Sequence, residues 1–391
     1  MRRIHPGPAP LLANLLLILL VSGCNPGDDS SSRSPVNDSR VREGEPAPTD
    51  LTGVTIVPER WVSAWDTTSN LDSPAVWQGE EGTWVVSTAK GTHELWVHDA
   101  RDGSLLDRIG QKGEGEGEFN YPNGIAILGD LLLVVERDNH RVQMMSMPGF
   151  EPLGWFGSHR LERPYGIALY PREDGVVVVY VTDDYGNELD PPLGTDPVGD
   201  FTRRVSRFEL RAGAGDRPEA SFVEAFGEGK GPGALMVVES IQVDEDRKLL
   251  LVADEHNLEL ELYRLDGAYL GRTEGSGIYR HGDPEGIMLY RCGSGGGYWI
   301  LTDQGATRSV FHVLDRNTFE LLGSFAGEVT ANTDGIWLHQ GEVPGLGHGV
   351  LVAVHDDGGV AAFAWEDIAG PLGLATGCPP APGLGNGGGS S

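Results

Sequence analysis

Eight carboxylates stand where they could share work: Asp72, Glu239, Asp254, Glu255, Asp283, Glu285, Asp334 and Asp356. Asp72, Glu239, Asp283, Glu285 and Asp334 lie at or beside one recurring signature, and Asp254, Glu255 and Asp356 follow apolar runs that read as the next strand. Acids gathered round a common axis repel one another unless cations sit among them. Hard divalent cations, Ca²⁺ above all, take several oxygen ligands at once. With such ions bound, the site would change sign, hold an anionic group and activate water. The competing reading is that each acid only caps a turn. Other chemistries lack their residues: the histidines show no ligand spacing, and there is no nucleophile elbow, phosphate-binding loop or dinucleotide fingerprint.

The elements that must place these acids repeat. The signature, an acid or proline, then Gly-Ile and an apolar strand, occurs around Ala75, Gly124, Gly166, Ser240, Gly286 and Gly335, at steps of 49, 42, 74, 46 and 49 residues. A period of about 40–50 residues built of short strands and turns marks a β-propeller, one sheet per repeat. Six repeats predict an all-β, six-bladed β-propeller over residues 58–370, each blade an antiparallel four-stranded sheet. In the second repeat, Ile125–Leu128, Leu131–Glu136, the alternating Arg141–Met147 and Leu153–Phe156 read as successive strands. The long step holds an insertion, residues 186–201, in blade 3. Blade-to-blade interfaces let about 310 residues fold as one body despite the usual single-core limit.

The ends read differently. Arg2 and Arg3 precede an apolar run, Leu11–Val21, too short for a comfortable span, so residues 1–23 read as a signal peptide. Val21-Ser22-Gly23-Cys24 is similar to a bacterial lipobox, with Cys24 lipidated and Asn25 favouring the outer membrane. Residues 24–57 read as a disordered tether and 371–391 as a flexible tail. Membrane contact is then through the anchor alone. In an exported, oxidising compartment Cys292 and Cys378 are candidates for a disulfide, a pairing that sequence leaves open. A formal charge of -29 repels nucleic acid and anionic lipid, and a monomer is expected.

Two families resemble the chain. Gly110–Phe119, Tyr121–Ile125 and Asp138-Asn139-His140-Arg141-Val142-Gln143 look like an NHL repeat, as does Phe226–Gly233. NHL propellers are chiefly interaction scaffolds. The second resemblance is to β-propeller phytases, carried by Leu71–Trp77, Thr88–Gly91, Pro164–Tyr170, Asp283–Gly286, Gly297–Gly305, Thr333–Ile336 and Gly349–Asp356. It implies several Ca²⁺ ions at one face, held by the eight acids, with Glu239, Asp283 and Glu285 catalytic and Lys90, Arg137 and Tyr165 on phosphate oxygens of a phytate-like substrate. Leu71 and Asp184 depart from that pattern, where the family has an acid and a lysine. The expected function is thus an exported, phytase-like phosphomonoesterase using metal-activated water. The alternatives are a non-catalytic NHL-like propeller binding a protein or glycan at the envelope, or a lactonase-like Ca²⁺-dependent hydrolase drawing on Asn123 and Asp334.

Overall fold

In the computed structural model, residues 47–186, 201–213, 217–273, 278–293 and 295–378 are described. The signal peptide, Cys24, most of the tether, residues 187–200 of the insertion and residues 379–391 lie outside them. Six sheets surround a central channel. Their inner strands are Leu71–Gly79, Pro122–Leu128, Pro164–Pro171, Val238–Asp244, Pro284–Cys292 and Ile336–Val343, numbered here as blades 1 to 6. Each blade steps outward through antiparallel neighbours, as the alternation of apolar runs and short turns predicts.

The cores lie between blades. Ala75, Trp77, Val86 and Val97 of blade 1 pack with Ile125, Leu132, Val134 and Met145 of blade 2, and comparable clusters recur around the ring. This explains the unbroken apolar second strands, which are covered on both faces. The ring closes where its ends meet: Trp61–Val62 pairs with Gly359–Ala364 as the fourth strand of blade 6. Thr55–Ile56 adds a fifth, parallel strand to blade 5, and Thr49 is hydrogen-bonded to Thr307 and Arg308. The expected tether to residue 57 is therefore too long at its C-terminal end. The expected tail likewise begins too early. Trp365–Leu372 is a helix packed on the last two blades, and Cys378 is bonded to Cys292, with 4.8 Å between their Cα atoms.

The inner strands of blades 1 to 5 open in one way. In blade 1, Leu71 pairs with Ala89 and Pro74 with Ser87, three residues on one strand against two on the other. The same bulge separates Pro122 from Ile125, Pro164 from Ile167, Val238 from Ile241 and Pro284 from Ile287. This fixes the true repeat register. Ser73, not Ala75, is the blade-1 equivalent of Gly124, Gly166, Ser240 and Gly286. The signature glycine has a steric cause: inner strands converge here. A Cβ on Gly166 would lie 1.9 Å from the Glu239 carbonyl oxygen, and one on Gly124 would lie 2.3 Å from that of Tyr165.

The NHL-like residues prove architectural. Arg141 donates to Glu136 at 2.6 Å and to the carbonyls of Glu114, Gly115 and Glu118, while Gln143 and Asn139 hold the same glycine-rich loop. They pin the loop that leads into blade 2.

Candidate metal centre

The bulge sets two rings of side chains at one mouth of the channel. Its first extra position carries Asp72, Asn123, Tyr165, Glu239 and Glu285 in blades 1 to 5, with Asp334 beside Gly335 in blade 6. The residue just after the second strand in blades 1 to 5 supplies the other ring: Lys90, Arg137, Asp184, Glu255 and Gln304. A bulge is a common device for re-aiming a side chain, and in blades 1 to 5 it turns one residue each toward the mouth.

These positions converge. Ligand oxygens of Glu239, Glu255 and Glu285 lie within 4.8 Å of one another. The Lys90 ammonium lies 2.7 Å from Asp72 and 3.0 Å from Asp334. It also reaches the Tyr165 hydroxyl at 3.3 Å, which in turn donates to Asp72 at 3.0 Å. Gln304 donates to the other oxygen of Asp334 at 2.6 Å. Burial pushes the carboxyls of Glu239, Glu255 and Glu285 well above the usual range, and neighbouring carboxylates push them further. Burial raises Asp334 to about 7, with Lys90 opposing the shift. For Lys90, burial alone would lower the ammonium's pKa; Asp72, Asp334 and Glu239 more than offset it, and the net shift is upward. Five carboxyls against one ammonium leave a negative surplus, and the trio of Glu239, Glu255 and Glu285 could hold a metal ion.

Two polar groups at the site have no protein partner. Asn123 is fully buried, and neither its amide oxygen nor its nitrogen is hydrogen-bonded. The Glu255 Oε1 atom is also buried without a partner. Buried polar groups are normally satisfied, so an oxygen-seeking ion fits this donor set of carboxylates and an amide.

The remaining expected residues fall elsewhere. Asp254 is a turn cap: it accepts from the backbone N–H of Met236 and Val237 and from the Asn257 side chain, so its oxygens are spent. Asp183 and Asp303 do the same in their blades. Asp356 is exposed. Blade 6 carries one extra residue there, and it is Asp357 whose carboxyl faces the charges of Lys90 and Asp72. Asp283 is exposed at the rim, beside Glu255. Arg137 lies over the Tyr121 ring at 3.5 Å and bonds Asp138. Lys90 is held among carboxylates rather than presented to solvent. Asp184 approaches Arg163 and Arg204, each at 3.6 Å. The sequence reading missed Gln304 and Asp357; the residue following each second strand was the signal for Gln304, and the blade-6 insertion hid Asp357.

Below the mouth, the channel encloses about 210 Å³ between the six inner strands, lined by the signature isoleucines and, at the far end, by Gln78, Arg291 and Gln340.

An NHL repeat model matches residues 119–144. Among curated proteins no match was found. Of the solved structures, a gluconolactonase from Xanthomonas campestris is similar over 76% of this chain and 87% of its own, at 17% identity and TM-score 0.51. A chain of a nidogen/laminin complex is similar over 68% of this chain and 82% of its own, at 15% identity and TM-score 0.42. The chain is an all-β, six-bladed β-propeller with an NHL repeat in its second blade.

Proposed function

We propose that this protein is a metal-dependent hydrolase of small, neutral, ester-like substrates such as sugar lactones. The observation that carries this reading is the carboxylate trio of Glu239, Glu255 and Glu285 at the mouth of the channel. These three would hold a divalent cation, Ca²⁺ being the natural fit to an all-oxygen set. When bound, such an ion supplies Lewis acidity to a carbonyl or to water. Asp283, on the rim beside Glu255, would take a proton from an attacking water. Lys90 fixes Asp72 and Asp334, and Gln304 also holds Asp334, so this side of the mouth is rigid beside the trio.

Charge favours a neutral substrate. One divalent ion and one ammonium leave the five carboxyls with a negative surplus, which disfavours a polyanion. For the same reason the phytase-like reading takes second place: Lys90 and Arg137 are engaged within the protein. The likeness to a gluconolactonase supports the choice of lactones at the level of fold. Export to the cell envelope with an anchor at Cys24, and action as a monomer, complete the proposal. The bonded Cys292–Cys378 pair supports an oxidising compartment.

The test is hydrolysis of aldonolactones and of phytate by the chain from Asp50 onward, with Ca²⁺ or with excess chelator. Calcium-dependent lactone opening, abolished in Glu285→Gln, is expected. Phosphate release from phytate instead would restore the phosphatase. Cation binding without turnover of either would leave an NHL-like scaffold.

A further inference from the structure

We infer that Lys90 is a resident counterion filling what would otherwise be a second divalent-cation position, so that the mouth takes one metal ion rather than a cluster. This deepens the metal reading above and rests on it. The ammonium sits between Asp72 and Asp334, within hydrogen-bond distance of both, and is itself 7% exposed. Asp72 occupies the same bulge position as Glu239 and Glu285, and Asp334 directly precedes the signature Gly335 at the start of the blade-6 inner strand. The mouth is thus divided: blades 4 and 5 offer an unneutralised trio, whereas blades 6 and 1 offer a carboxylate pair already matched by a charge from their own chain.

A second, independent observation marks the blade-1 side as a place for an oxygen-seeking ligand. Asn123, next in the ring after Asp72, is fully buried with both amide atoms unpartnered. Lys90 bonds Asp72, Asp334 and Tyr165 but not this amide. An ammonium offers donors only and cannot expand its ligand set as Ca²⁺ does. Replacing the lysine by an apolar side chain of similar length leaves the buried Asp72 carboxylate, the partly buried Asp334 carboxylate and an amide oxygen around a vacated position. That combination selects a divalent cation of oxygen-ligand chemistry.

The experiment counts bound calcium by equilibrium dialysis and by titration calorimetry in wild type, Lys90→Met and the triple variant Asp72→Asn/Lys90→Met/Asp334→Asn. One ion in wild type, two in Lys90→Met and one in the triple variant are expected. Lys90→Met should also show a thermal unfolding temperature lowered in chelator and recovered in millimolar calcium. One ion in both wild type and Lys90→Met overturns the inference while sparing the metal reading. Two in wild type overturn it as well, because the lysine then blocks nothing. No ion in wild type but one in Lys90→Met sinks the metal trio and keeps the counterion; none in either sinks both. Should Lys90→Met stay unfolded in calcium while the triple variant folds, calcium cannot replace the ammonium, and the inference falls.

Discussion

A buried amide with neither oxygen nor nitrogen in a hydrogen bond costs on the order of 1–3 kcal/mol, and Asn123 carries that cost at the mouth. Its replacement therefore separates two roles. Asn123→Ala should leave the unfolding temperature in chelator unchanged or raised, yet in the Lys90→Met background weaken binding of the second calcium ion by about tenfold, a size typical of losing one supporting group at a metal site. A lowered unfolding temperature in chelator would make Asn123 merely structural. Glu261 offers a contrast away from the site. It is 1% exposed, and burial pushes its carboxyl to about 7, with the Tyr269 hydroxyl opposing the shift. A raised carboxyl gives stability that is full below the unfolded value near 4.5 and lost as pH rises through 7. Glu261→Gln should thus gain stability over wild type at pH 8, by roughly 3 kcal/mol at most, and little at pH 4. Denaturant titrations at the two pH values check this; an equal gain at both would count against it.

Among the elements, the inner-strand bulge joins fold to site. It brings neighbouring backbones so close that Gly166 has the Glu239 carbonyl where its own Cβ would be. Thr182 bridges the same gap, accepting from Gly166 N–H at 2.7 Å and donating to the Glu239 carbonyl at 3.0 Å. Gly166→Ala should cost about 1–3 kcal/mol by overpacking and should also displace Glu239, weakening calcium binding. Loss of stability with calcium affinity intact would show that the strand moves without its ligand. At this scale the sequence was partly legible. Period, blade number and the acids beside the signature could be read, because turns and apolar runs are local. The bulge could not, since an extra unpaired residue is visible only against its partner strand. Hence Ala75 stood in for Ser73, and Asp254, a cap, looked equivalent to Glu255, a ring residue one position later.

At the largest scale, the propeller is a ring closed by Trp61–Val62, which pairs with its last strand. Trp61 lies in the core shared by blades 6 and 1, and its indole N–H donates to the Ala100 carbonyl at 2.9 Å. A chain beginning after Val62 should lose cooperative unfolding, whereas one beginning at Asp50 should keep it; equal melting by calorimetry would refute the closure role. The sequence hid this closure because a two-residue strand carries no period. The order in which the parts arrive follows from the same layout. Glu239, Glu255 and Glu285 all come from two consecutive blades, so a chain delivered N-terminus first has its metal trio in hand while the ring is still open. Asp334 reaches Lys90 only with the last blade, across the seam that joins blade 6 to blade 1. An ion held by the trio, as proposed, would therefore not depend on closure. The lysine's bond to Asp334 is the latch that reports the circle complete.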